Sequence, residues 1–397
     1  MGPRCVLTVQ TLQQWSVYGV AGIHSIISEL PLTVLILIVG LVILTVGAEV
    51  LVRGASRLAI ACRISPLVVG LTVVAFGTSA PELVVSMRSA LGGDPEVAVG
   101  NVVGSNIANV LLILGLAALI TPLTVSQQLI RLDVPLMIAA SIAVAVMAWD
   151  GNISQMEGAV LFAALIWYNV WVVRKSRQES KAIEEEYARE FGSVPPDGAT
   201  SKMILTNALL LVAGLVMLVV GANMFVSSAV TIARTLGVSE LVIGLTLVAV
   251  GTSLPEVATS LVAAYRGERD IAVGNVVGSN LFNILCVLGL TGTCVKGGIP
   301  IPESAVTFDI PVMILVSLAC LPVFVAFHQI ARWEGLLFLL YYIAYNANIA
   351  LTAMNSPKVE ALHFAVMWIA APITVIAFIL NYGFHRATNR PPDAPQE

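Results

Sequence analysis

Apolar residues fall in continuous runs separated by short polar joints, starting near residues 32, 66, 97, 129, 154, 203, 239, 271, 306, 331 and 361. Each run is about 20 residues long, enough for a helix to cross a hydrocarbon core of about 30 Å. The pattern predicts about eleven membrane spans. A closed β-barrel would need alternating apolar and polar residues instead. The expected fold is therefore an all-α integral membrane protein.

One polar segment of any length interrupts the pattern. Residues 174–202 carry Glu179, Glu184, Glu185, Glu186 and Glu190 among basic residues, then Pro195 and Pro196. This connector is too short for a separate domain and reads as a solvated helix and loop. It divides the chain into two units of five spans, 31–173 and 203–352. Residues 353–397 add an extra helix and a tail. Residues 1–30 are weakly apolar, interrupted by Gln10, Gln13 and Gln14. With no clean small-residue cleavage site, they read as an interfacial helix or flexible tail.

The two units repeat each other. Gly70 to Leu116 aligns with Gly244 to Leu290 without a gap at a constant offset of 174, and about half the positions are identical. Beyond this core, Val46-Gly47-Ala48 matches Val220-Gly221-Ala222, Asp133-Val134-Pro135 matches Asp309-Ile310-Pro311, and Glu157-Gly158 matches Glu334-Gly335. Each unit contains an odd number of spans, so the second must lie upside down relative to the first. Inverted repeats characterise secondary transporters, whose sites lie at the repeat interface near the bilayer midplane.

Composition and charge sharpen this picture. The 397 residues are 58% hydrophobic and 11% charged, with mean hydropathy +0.92, against about 25% charged in soluble domains. Cytoplasmic loops carry the excess of Lys and Arg. With the N-terminus outside, fifteen basic residues fall inside and five outside, the latter being Arg4, Arg88, Arg234, Lys296 and Lys358. That distribution predicts an external N-terminus, a cytoplasmic connector and an internal tail, in a cell membrane.

The chemistry lies in Gly77-Thr78-Ser79-Ala80-Pro81-Glu82 and its twin Gly251-Thr252-Ser253-Leu254-Pro255-Glu256. Proline within a helix lacks an N–H and pushes on the carbonyl four residues back, which frees oxygens around Gly77 and Gly251. The Thr and Ser hydroxyls and the glutamates add further oxygens. Such a set suits a hard cation such as Ca²⁺ or Na⁺. A charged residue at mid-bilayer costs roughly 2.5–3.5 kcal/mol on insertion scales, and no Lys or Arg accompanies either glutamate. Helix kinks and polar interhelical contacts alone do not account for that cost. Two carboxylates brought together repel each other unless a cation sits between them.

The second element, Gly100-Asn101-Val102-Val103-Gly104-Ser105-Asn106 with Asn109 beyond, recurs as Gly274 to Asn280 with Asn283. Ser105 and Asn109 are four apart and share a helix face. The glycines permit close helix approach.

These paired segments resemble the alpha repeats of the calcium/cation antiporter superfamily, especially the prokaryotic sodium/calcium exchangers, over roughly residues 31–352. The resemblance implies two inverted five-helix repeats and calcium coordination by Glu82 and Glu256 with backbone oxygens of Thr78 and Thr252. It implies sodium sites drawing on the same glutamates, Ser79, Ser253, Ser105, Ser279 and the backbone around Ala75 and Ala249. Asn109 matches another family site position. At Asn283 some relatives, including potassium-dependent ones, have aspartate, so one potential charge fewer argues against potassium dependence. The implied activity is electrogenic antiport, with sodium and calcium occupying the site alternately. No catalytic residue, cofactor or nucleic-acid partner is expected; the partners are the bilayer and the transported ions.

Calcium/proton antiport is the alternative, because the same carboxylates can carry protons. A channel is disfavoured by the inverted repeat, and an intramembrane hydrolase by the lack of a histidine base near Ser79 or Ser253. The five cysteines show no CxxC spacing and the four histidines no zinc spacing. Asp133 and Asp309 read as helix caps, Glu157 and Glu334 as acids at helix N-termini, and Glu49 as an ion-pair partner of Arg53.

Overall fold

The computed structural model describes residues 9–191, 201–236 and 249–388. Its helices are α1 (Val9–Cys62), the bent pair α2 (Pro66–Thr78) and α3 (Ala80–Gly92), α4 (Pro95–Ile120), α5 (Leu129–Asp150), α6 (Gln155–Phe191), α7 (Ser201–Thr235), α8 (Leu254–Tyr265), α9 (Arg269–Cys294), α10 (Ala305–Val325), α11 (Arg332–Ala353) and α12 (Lys358–Leu380). Counting the bent pair as one, up to ten of the predicted spans are found among the described residues. The span predicted to start near 239, with Gly244 to Val248 of the second repeat, begins outside the described residues, and so do Pro195 and Pro196. Helix α1 runs from Val9 through Pro31 to Cys62, and its membrane-length apolar segment starts at Leu30. Glutamine is a good helix former, so the Gln-containing stretch is helical ahead of that segment.

The inverted threading leaves a signature in two short antiparallel ribbons. Strand β1 (Leu123–Thr124) pairs with β4 (Gln329–Ile330), and β2 (Asn152–Ile153) pairs with β3 (Ile299–Pro300). Each ribbon takes one strand from each repeat. An alternating threading places the loops holding β1 and β4 on one side of the membrane and those holding β2 and β3 on the other, and the structure joins them in that way. Glu49 adds a link at the β1–β4 end. It pairs with Arg53, as expected, and also with Arg266 across the repeat boundary, at 2.7 Å and 2.8 Å.

Helices α4 and α9 form the centre. Alpha-9 is wholly enclosed by protein, and α4 largely so, whereas α12 lies at the periphery. It rests on α11 through a Tyr341–Thr374 hydroxyl contact of 2.8 Å and the rings of Trp333 and Phe378, 5.1 Å apart. Close approach is achieved by glycine, as the spacing predicts. A Cβ on Gly278 would stand 2.5 Å from the Leu71 carbonyl oxygen of α2. Helices α1 and α7 meet the same way: a Cβ on Gly47 would stand 2.8 Å from that of Met217, and one on Gly221 would stand 2.5 Å from the Leu44 nitrogen.

Wider π turns recur at matching places in the two repeats, at Asn109–Leu114 and Asn283–Leu288 within α4 and α9, and at Leu129–Asp133 and Ala305–Asp309 opening α5 and α10. Such turns re-aim side chains and are frequent at functional sites. They also correct the reading of Asp133 and Asp309. Neither caps its helix, because helical backbone already precedes it. Each instead accepts a tyrosine O–H from the next helix of its own repeat, Tyr168 to Asp133 and Tyr345 to Asp309, both at 3.0 Å. Glu157 and Glu334 do serve their helix N-termini, accepting the backbone N–H of Ser154 at 2.8 Å and of Ala331 at 2.7 Å.

Because the α1–α7 contact is backbone to backbone, a side chain at Gly221 must force the helices apart. Gly221→Val is expected to destabilise the detergent-solubilised protein by about 1–3 kcal/mol, read as a lower thermal midpoint. An unchanged midpoint would refute the close contact.

Candidate cation site

Helices α2 and α3 meet at a 42° bend. The residue at the break is Ser79, with φ −86° and ψ 6°, and Ser253 has nearly the same backbone, φ −85° and ψ 5°. Pro81 and Pro255 follow in the first turn of α3 and α8. Lacking an N–H, they cannot bond the carbonyls of Gly77 and Gly251, so the chain breaks there and restarts. Glu82 and Glu256 therefore fall in the first turns of new helices. The positive end of a helix dipole favours a carboxylate at that position.

The sequence-predicted residues converge, and they do so crosswise. Ser79 of the first repeat donates to Glu256 Oε1 at 2.8 Å, and Ser253 of the second donates to Glu82 Oε1 at 3.2 Å. Ser253 also reaches Ser105 at 3.2 Å, and Thr78 lies 3.5 Å from Ser279. Glu82 and Glu256 are 0% and 1% exposed. The second oxygen, Oε2, of each carboxylate lacks a hydrogen-bond partner among the described residues. A buried charge with a bare oxygen is costly unless a counter-charge meets it. No group of three His, Cys, Asp or Glu converges among the described residues. A cation here would meet two carboxylates and otherwise neutral hydroxyl and carbonyl oxygens.

The remaining candidates are placed less uniformly. The Ala75 carbonyl accepts the Ser79 N–H at 3.0 Å and lies 3.4 Å from the Thr78 hydroxyl. Ala249 opens a short helical turn, Ala249–Gly251, and the backbone before it lies outside the described residues. Asn109 and Asn283 each begin a π turn, and both are buried. Asn109 donates to Asn280 Oδ1 at 3.0 Å, whereas both amide ends of Asn283 are unpartnered among the described residues.

Sequence reasoning gave no separate part to Ser86, Asn101 and Asn106 or their twins Ser260, Asn275 and Asn280. All six lie in the polar network around the site. Asn101 donates to Ser86 Oγ and Asn275 to Ser260 Oγ, each at 2.9 Å. Asn106 and Asn280 contact the thioethers of Met313 and Met137 at 3.5 Å and 3.3 Å. Their recurrence at the 174-residue offset was the available signal.

Two inverted repeats with carboxylates at paired helix breaks define a secondary transporter. The model of the family described as "Sodium/calcium exchanger protein" matches residues 32–174 and 206–351. The chain belongs to the sodium/calcium exchanger family, whose members carry cations across membranes. It is 40% identical over 285 residues to inner membrane protein YrbG of Escherichia coli, covering 71% of this chain and 86% of that protein. It is 34% identical to the sodium/calcium exchanger MaX1 of Methanosarcina acetivorans, covering 78% of this chain and 96% of that one. The solved structure of the sodium-calcium exchanger NCX_Mj soaked with 10 mM Na⁺ and zero Ca²⁺ matches with a TM-score of 0.68 at 33% identity, covering 80% of this chain and 99% of that one.

A ligand that binds only the folded state stabilises it by about 2.7 kcal/mol at one hundred times its Kd. Calcium is therefore expected to raise the thermal midpoint of the solubilised protein above its value in chelator. Glu82→Gln and Glu256→Gln should each remove that increment. A calcium shift that survives in both variants would place the binding elsewhere.

Proposed function

We propose that this protein exchanges Na⁺ for Ca²⁺ across a cell membrane by alternating access to a midplane site built on Glu82 and Glu256. The observation that carries the reading is the crosswise arrangement of these two buried carboxylates. Each is held through one oxygen by a serine of the opposite repeat and has its other oxygen unpartnered. Two carboxylates nearly neutralise one Ca²⁺. The surrounding Ser, Thr and Asn side chains and freed carbonyls supply the neutral oxygens that Ca²⁺ needs to reach about six to eight ligands.

Sodium ions use the same hard oxygens. Sodium entering down its gradient displaces calcium, and the empty-handed return that would dissipate the gradient is disfavoured by the repulsion of two bare carboxylates. The charge distribution of the loops supports an external N-terminus and a cytoplasmic connector. With the neutral Asn283 where potassium-dependent relatives carry a charge, the exchange proceeds without potassium.

The test is radioactive calcium uptake into proteoliposomes loaded with sodium and diluted into sodium-free buffer, compared with potassium loading and with an imposed pH gradient. Uptake is expected to require internal sodium, to need no potassium, and to be abolished in Glu82→Gln and Glu256→Gln proteins that still elute as folded species. Uptake that follows the pH gradient alone would replace this reading with calcium/proton antiport on the same carboxylates. Wild-type flux in both variants would remove the glutamates from the site.

A further inference from the structure

We propose that Asn101 and Asn275 are positioning residues that turn the hydroxyl oxygens of Thr252 and Thr78 toward the transported cation. The inference rests on the reading of the Glu82–Glu256 site as a cation site and deepens it. The argument starts from a group with no choice of role. The Glu82 backbone carbonyl can only accept a hydrogen bond, and the Asn101 amide contacts it at 3.2 Å. That contact fixes which end of the amide is Nδ2, and the same Nδ2 donates to Ser86 Oγ at 2.9 Å. The other end, Oδ1, then faces Thr252 Oγ1 across the repeat boundary at 3.3 Å.

An amide oxygen is an acceptor, so the Thr252 hydroxyl must be the donor. A hydroxyl has one proton and two lone pairs. With its proton on Asn101 and not on the Glu82 carboxylate that it also adjoins, Thr252 presents lone pairs to a cation held at that carboxylate, which is the orientation a cation requires. Were the amide reversed, its N–H would take up a lone pair, and the Thr proton would point at the ion.

The second repeat holds the matching Ser–Asn–Thr contacts, without, among the described residues, the carbonyl contact that anchors Asn101. Asn275 Nδ2 donates to Ser260 Oγ at 2.9 Å, and Thr78 Oγ1 donates to Asn275 Oδ1 at 3.1 Å. Thr78 Oγ1 is also 3.5 Å from Ser279, one of the candidate ligands, so it borders the site. Ser86 and Ser260 thus hold the amides, the amides hold the Thr protons, and the Thr oxygens are left for the ion. Second-layer groups of this kind orient first-layer ligands in metal sites generally.

The test is a double-mutant cycle on sodium-dependent calcium uptake. A lost hydrogen bond of ordinary strength corresponds to about a three- to tenfold change in affinity. Asn101→Leu is expected to raise the calcium KM by that factor with the maximal rate unchanged, the pattern of lost uniform binding. In a Thr252→Val background the same substitution should change KM by a smaller factor, because the hydroxyl it orients is gone and only the loss of its contacts to the Glu82 carbonyl and Ser86 remains. In Thr252→Ser, which keeps a hydroxyl, the effect of Asn101→Leu should return. An equal KM change in all three backgrounds would overturn the proposal and make Asn101 a packing residue. The mirror cycle of Asn275→Leu with Thr78→Val gives the same decision if the first set does not fold. A wild-type protein that shows no cation-driven calcium uptake would overturn the transport reading itself, and the relay with it.

Discussion

Two carboxylates buried together without a basic partner are the constraint on which this structure depends. Like charges in a low-dielectric interior repel strongly and cannot be relieved by water. The molecule offers Glu82 and Glu256 three partial remedies: the first turn of a new helix, a serine proton from the opposite repeat, and oxygen-rich surroundings for a mobile counter-ion. The fold serves the first two. Prolines one residue before each glutamate break the helices at Ser79 and Ser253, glycines bring α2 against α9, and the most enclosed helices, α4 and α9, wall the site.

Much of this was legible in the chain. Continuous apolar runs gave the spans, because a bilayer demands length more than pattern. The glutamates stood out because a charge at depth needs a reason, and their repetition told that the reason was shared. What was not legible depended on geometry that opposes local expectation. The π turns at Asn109 and Asn283 have no simple residue signature. Asp133 looked like a cap because it sits before a proline, yet the π turn ahead of it places it inside a helix, where it meets Tyr168. Asn101 and Asn275 were visible as motif letters, but their contacts join residues 151 and 197 positions apart, a separation no local pattern encodes.

The repeats are not perfect copies. Asn109 donates to Asn280, while the mirror residue Asn283 has neither amide end partnered among the described residues. Glu49 binds two arginines at one end of the bundle, where its aligned position holds Asn223. Such asymmetry is what a transporter facing two different solutions requires. A molecule symmetric in every contact would hold its inward-open and outward-open forms at equal energy and would respond alike to both sides.

The crosswise bonding of Ser79 to Glu256 and Ser253 to Glu82 has a historical consequence. Residue i of one half meets residue j of the other, and residue j of the first meets residue i of the second, which is the rule of a self-complementary dimer interface. Among the described residues, the serine that holds each glutamate comes from the other half. A shorter ancestor, inserted into the membrane in both orientations, would have assembled this site from two identical copies. A connector that joins the halves makes the pairing obligatory and leaves positions such as Asn223, whose twin is Glu49, free to drift.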